Sequence, residues 1–255
     1  AHYYKARIAM MNGNFSAAVA ECQRALRLQP EHVQSQLLLA AAHMSQGSLE
    51  QAQNTLERVL FNNPQNTAAR KLLAQVHLAR NRPQEAQNLL ASLGADPDLD
   101  WLRGQALMRT GNVASGIEHL ERSVAAAAND PSRQIALASA YIANREPQKA
   151  LELLHKIPVD SPASGQAKAL EVLATAAGQP PAQAKREIET LLRQRPDDAE
   201  LASAAGSYLA VIGDMAASRR VLERALELDA SNIQARLSLA RLDAAAGDLF
   251  AAEQH

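Results

Sequence analysis

Apolar residues recur along the chain at helical spacing, in blocks broken by glycine or proline. In the first block Tyr4, Ile8, Ala9 and Met11 run up to Gly13-Asn14, then Phe15, Ala18, Val19, Cys22, Ala25 and Leu26 follow before Pro30. This spacing predicts two amphipathic helices joined by a tight turn. The interruption returns as Gly47-Ser48, Gly111-Asn112, Gly213-Asp214 and Gly247-Asp248. Glycine closes one helix in the left-handed conformation, and Asn, Ser or Asp caps the free amides opening the next. Three blocks lack the pair and carry Pro83, Pro147 and Pro181 instead. Proline is tolerated in a helix's first turn, so a second helix is predicted to start there. Pro30, Pro64, Pro162 and Pro196 are predicted to stop the second helix of their blocks.

Overlaid on the blocks is a series of small residues: Ala6, Ala40, Ala74, Gly104, Ala138, Val172, Gly206 and Ala240, spaced 34 apart except for one step of 30. Twelve residues after each comes a second: Ala18, Ala52, Ala86, Gly116, Ala150, Ala184, Ser218 and Ala252. These are the places where neighbouring helices are predicted to approach closely. The self-similarity predicts an all-α, right-handed superhelical solenoid of helix-turn-helix repeats. The short step is predicted to remove about one helical turn, and it falls near Leu93-Gly94-Ala95-Asp96-Pro97-Asp98, which predicts a reshaped connection. Ala125 to Ala128 are expected to lengthen the second helix of the fourth block before Asp130-Pro131, with a local change of curvature rather than a domain boundary.

The pattern resembles the tetratricopeptide repeat. The second copy (Leu39-Ala40, Gly47, Ala52, Leu56, Leu60, Pro64) and the seventh (Gly206, Gly213, Leu222, Ala225-Leu226, Asp229) match best. The sixth departs most, with Glu171 where leucine is expected and Gly178 one place early. The resemblance implies a single array over residues 1–255 of about eight repeats, at 1–32, 33–66, 67–96, 97–130, 131–164, 165–198, 199–232 and 233–255. The chain opens partway into a first helix and stops inside a second, so the natural protein is expected to extend at both ends.

Composition narrows the chemistry. Aromatics are 3% and the net charge is −1, which offers no broad draw toward nucleic acid. No stretch approaches the length of a membrane-spanning helix, so no membrane contact by these residues is expected. The lone Cys22 excludes an intramolecular disulfide and is expected to be a buried thiol. His43 and His77 share a register position, as does Tyr141, but no carboxylate or cysteine recurs to complete a metal site. Motifs for zinc proteases, phosphate loops and serine nucleophiles are absent, and Glu187 and Glu189 fall on polar faces. No catalytic residue, cofactor or metal is therefore expected.

The resemblance implies a protein or peptide ligand in a concave groove lined by the first helix of each repeat, through its second, fifth, ninth and twelfth positions. The second repeat supplies Gln34, Leu37, Ala41 and Met44, and the third Ala68, Lys71, Gln75 and Leu78. The fourth supplies Asp98, Trp101, Gln105 and Met108, and the fifth Ser132, Ile135, Ser139 and Ile142. Met44, Lys71, Gln75, Trp101, Gln105, Met108, Ile135 and Ser139 are the predicted groove residues, since methionines and a tryptophan beside amides suit an extended peptide. Trp101 lies three residues before Gly104 where the family's packing tryptophan lies four before, so packing and groove roles both stand. The clamp with which chaperone-binding relatives grip a carboxylate is missing: of Tyr3, Arg7, Gln34 and Leu38 only Arg7 is basic.

Some phrases are more particular. His2-Tyr3-Tyr4-Lys5-Ala6, Ala69-Arg70-Lys71-Leu72-Leu73-Ala74 and Leu239-Ala240-Arg241-Leu242-Asp243 resemble the PrsT-type repeat lipoproteins of bacterial exosortase/PEP-CTERM sorting and exopolysaccharide systems. That resemblance implies a non-catalytic scaffold in the cell envelope, periplasmic or anchored to the outer membrane. Cys22 lies inside a repeat helix and is not the lipid anchor. A repeat segment of an alginate- or cellulose-type exporter, and the regulatory arm of a larger enzyme such as a glycosyltransferase, are the alternatives.

Overall fold

The structure, a computed structural model, describes residues 1–247, and among these it contains fifteen α-helices and no strands. The first helices of successive repeats are α1 (His2–Met11), α3 (Val33–Ser45), α5 (Thr67–Ala79), α7 (Pro97–Arg109), α9 (Pro131–Ala143), α11 (Ser164–Ala176), α13 (Ala199–Val211) and α15 (Ile233–Ala246). The second helices are α2 (Phe15–Leu28), α4 (Leu49–Asn62), α6 (Pro83–Leu90), α8 (Val113–Ala126), α10 (Pro147–Leu154), α12 (Pro181–Gln194) and α14 (Met215–Leu228). The second helix expected in the eighth repeat, with Ala252 and the Asp248 cap, lies outside the described residues. The chain divides into two compact units, Ala1–Ser123 and Val124–His255.

Both units are helical-repeat stacks. Within the first, α1, α3, α5 and α7 pack one on the next, and α2, α4 and α6 each pack on the first helix that follows. The second unit repeats this with α9, α11, α13 and α15 as its continuous layer, backed by α10, α12 and α14. The caps predicted at Asn14 and Asp214 form, and five more that were not predicted open first helices in the same way. Asn14, Asn66, Asp96, Asp130, Asp198, Asp214 and Asn232 each accept a hydrogen bond from an amide of the following helix. Ser48 makes no such bond. Pro83, Pro147 and Pro181 open α6, α10 and α12.

The turn glycines have positive φ, from 69° at Gly13 to 86° at Gly213. In the third and fifth repeats the same place is held by Asn81 (φ 57°) and Arg145 (φ 61°). The turn geometry therefore persists without glycine, and Arg145 carries the larger steric penalty because asparagine tolerates this region better.

The paired small residues do meet. A Cβ placed on Gly104 would lie 2.6 Å from Leu120 Cγ, and one on Gly206 the same distance from Leu222 Cγ. The Ser218 hydroxyl donates to the Gly206 carbonyl at 2.7 Å. Ala6, Ala18, Ala40, Ala52, Ala74 and Ala86 have no solvent exposure. Cys22 is fully buried too, and burial pushes its thiol up to about 11.

Two length expectations are corrected. The helix α10 ends at Leu154, not near Pro162, because Pro158 has no amide to bond the Leu154 carbonyl and its ring would clash with that carbonyl in a continued helix. The helix α8 has 14 residues, the same as α2, α4 and α14, so Ala125 to Ala128 do not lengthen it. The turn that the 30-residue step removes comes out of α6, which has 8 residues against 14 in α4.

These two short helices explain two unexpected charges. At the register position before the small residue, Leu39, Leu73 and Leu239 pack on the later turns of the preceding second helix, beside Leu26, Leu60 and Leu226. After α6 and α10 those turns are missing, and the position carries Arg103 and Glu171. The Arg103 guanidinium donates to the carbonyls of Leu90, Leu93 and Gly94, at and just past the end of α6. Glu171, 3% exposed, binds the Arg195 guanidinium through both oxygens, His155 Nε2 at 3.0 Å and Lys168 Nζ at 3.6 Å. Burial pushes the Glu171 carboxyl up, but Arg195, His155 and Lys168 together outweigh it and hold the carboxyl below its ordinary value.

Candidate binding groove

A cavity of about 670 Å³ opens on the first-helix layer of the second unit. Its sides are α11 and α13, and its end is closed by the α14–α15 connection and the first turn of α15. Small side chains keep it open: Ala169 on α11, and Ser203, Ala204 and Ser207 on α13. Apolar side chains stand exposed around it, with Leu173 at 45%, Val211 at 83% and Ile233 at 72%. A cavity of this size with a few polar groups on an apolar ground suits a ligand site.

Its polar groups fall into two sets. On the floor, Ser207 Oγ donates to the Ser203 carbonyl at 2.9 Å and lies 2.9 Å from Ser238 Oγ. Beside it Ser203 Oγ is buried, in a residue 2% exposed, and has no hydrogen-bond partner among the described residues. At the rim, Glu200 Oε2 accepts from Ser164 Oγ at 2.6 Å. Asp229 accepts from the Ser231 hydroxyl and amide, at 2.6 and 2.9 Å, and these bonds hold its carboxyl below its ordinary value. No lysine or arginine lines the cavity.

Six of the predicted groove residues lie in the first unit. Lys71 Nζ is 2.5 Å from Asp98 Oδ2, so these two register positions neutralise each other. Met108 packs inward, its Sδ filling the space that a Cβ on Gly116 would need. Trp101 and Met44 are half-buried against apolar clusters of α5–α7 and α3–α5, and Trp101 Nε1 is buried without a hydrogen-bond partner. Gln75 and Gln105 are half-buried. In the second unit Ile135 is 5% exposed, part of the core, and Ser139 is exposed.

The second-unit cavity uses the same register. Gln166, Glu200 and Gln234 are second positions, Ala169 and Ser203 fifth, and Leu173 and Ser207 ninth. Counting on from Val172 and Gly206 would have found them. The telling signal is the run of Ala and Ser at those places, where the fifth repeat has Ile135. His43 and His77 have buried Nδ1 atoms without partners among the described residues, and burial pushes both imidazoles below their ordinary value. No group of three or more metal-ligating side chains occurs among the described residues.

Solved structures share this architecture. PilW, a widely conserved type IV pilus biogenesis factor, superposes with a TM-score of 0.64 at 18% identity, over 78% of this chain and 94% of that one. Pseudomonas aeruginosa pilF gives 0.61 at 16%, over 78% and 93%. The C-terminal part of a TPR repeat-containing protein from Cytophaga hutchinsonii gives 0.59 at 19%, over 93% and 99%. At these identities the likeness is one of fold alone. No curated protein sequence matches the chain. One tetratricopeptide repeat model matches residues 9–75 and a second matches 102–166 and 170–233, together well over half the chain. With eight-fold register, paired helices and touching small residues, the chain belongs to the tetratricopeptide repeat family.

Proposed function

We propose that the chain is a non-catalytic scaffold of the bacterial cell envelope. It holds segments of partner proteins in the second-unit groove and assembles components of exopolysaccharide export or surface-protein sorting. Tetratricopeptide repeats serve as protein–protein interaction scaffolds in general. The observation that carries the reading here is the groove itself: an open apolar channel with a buried hydroxyl that nothing among the described residues satisfies. The envelope role draws on the phrases at His2–Ala6, Ala69–Ala74 and Leu239–Asp243 that resemble PrsT-type lipoproteins.

Site-specific photocrosslinking tests it. A photoreactive residue in place of Leu173, on the groove, is compared with one in place of Arg193, an exposed residue near the end of α12, in the cell that makes the protein. Adducts with export or sorting components from Leu173 and not from Arg193 are expected. Equal labelling from both places, or adducts confined to proteins outside the envelope, would overturn the proposal.

A further inference from the structure

We infer that the second-unit groove takes an extended peptide segment with an aliphatic side chain next to a lysine or arginine. The inference rests on reading the groove as a docking site and adds the chemistry of what docks. It comes from comparing the same register in the two units, each taken alone. In the first, the carboxylate at the second position of α7, Asp98, meets a cation at the fifth position of α5, Lys71, at 2.5 Å. In the second, the second position of α13 again holds a carboxylate, Glu200, but the matching place on α11, three residues before Val172, is Ala169. The neighbouring Lys168 turns to Asp198 at 3.5 Å and Glu171 at 3.6 Å, so no cation meets Glu200 among the described residues. Among the described residues Glu200 accepts only the Ser164 hydroxyl and forms no ion pair. Asp229 adds a second carboxylate to the lining, and its one cationic neighbour, Arg236, is turned to the Ala230 carbonyl.

The remaining lining fits the rest of such a segment. Ala169, Leu173, Ala204, Val211 and Ile233 offer apolar surface to an aliphatic side chain. The Ser203 hydroxyl, buried and unpartnered, is placed to hydrogen-bond a passing peptide group. A peptide's cation would then stand where Lys71 stands in the first unit, and its backbone would satisfy the orphan hydroxyl.

Random peptides displayed on phage, selected against the full chain, test this without presupposing a partner. Enrichment of Lys or Arg adjacent to Leu, Ile, Val or Met is expected. A synthetic copy of a selected peptide, titrated by fluorescence anisotropy, should lose about fivefold in affinity on Glu200→Gln. Ala169→Lys installs the internal cation and should weaken it more than Ala169→Met, which adds similar bulk without charge. Ser203→Ala should also cost about fivefold in affinity yet raise the unfolding midpoint of the free chain, because it removes a hydroxyl unsatisfied before binding. No basic enrichment, failure to select any binder, or equal effects of Ala169→Lys and Ala169→Met would overturn the inference. Groove crosslinks from Leu173 would in those cases still stand, so this failure is distinct from that of the scaffold reading.

Discussion

Glu171 offers the sharpest test of the energetics. Its carboxylate is 3% exposed, whereas Arg195 keeps 32% of its side-chain surface in water. Arg195→Ala would leave the carboxylate buried, with only His155 at 3.0 Å and Lys168 at 3.6 Å to compensate. Removing one partner of a buried pair typically costs about 3–5 kcal/mol, and the two remaining partners put the expectation at the lower end, about 3 kcal/mol. Glu171→Leu removes the buried charge itself and leaves Arg195 free to turn to solvent, so it should fall within about 1 kcal/mol of the parent. The double variant should behave like Glu171→Leu alone. Urea unfolding followed by circular dichroism measures all four proteins. A loss below about 1 kcal/mol for Arg195→Ala, the level of a surface pair, would refute the reasoning. The pH dependence follows the same logic. The folded carboxyl lies below its unfolded value, so its contribution is complete above the unfolded value, about pH 4.3, and is lost as pH falls through the folded one. In Glu171→Leu that loss should vanish.

Other sites give independent checks. Arg145→Gly should stabilise the chain by about 0.5–1 kcal/mol, because it relieves a left-handed backbone at φ 61°, and Asn81→Gly should do less; a destabilised Arg145→Gly in the same urea titration would contradict this. Gly206→Val should cost about 1–3 kcal/mol through the clash with Leu222, whereas a neutral result would mean the helices can separate freely. Cys22, buried with its thiol near 11, should resist alkylation at neutral pH until the chain unfolds, and prompt labelling of the folded protein would show that the first repeat opens.

Helix number and helix starts were legible because they depend on local chemistry: glycine or proline at the turn, a short polar residue at the cap, small residues at the close approach. Lengths were less so. Pro158 carries the needed signal, but it lies outside the 34-residue rhythm that drew attention to Pro162. The lost turn was legible in the 30-residue step, but not that α6 is the helix to lose it, because a missing turn leaves no residue to read. The groove was only half legible. Its register positions could be counted, but which repeats leave an open channel depends on side-chain volume across neighbouring helices, as between Ile135 and Ala169. The roles of Arg103 and Glu171 escaped because each answers an absence in a different helix.

That answering has a consequence for how such an array changes length. After α6 the lost turn is deleted from the chain, and after α10 its residues persist as an irregular connection, yet each time one charged side chain closes the gap from the next helix. The frame then resumes undisturbed, with the following small residues again 34 apart. An insertion or deletion in a second helix is thus a local edit, completed by a single substitution a few residues downstream. Moving the charged residue without the short helix, or the short helix without the charged residue, would import only half of a unit that works as one.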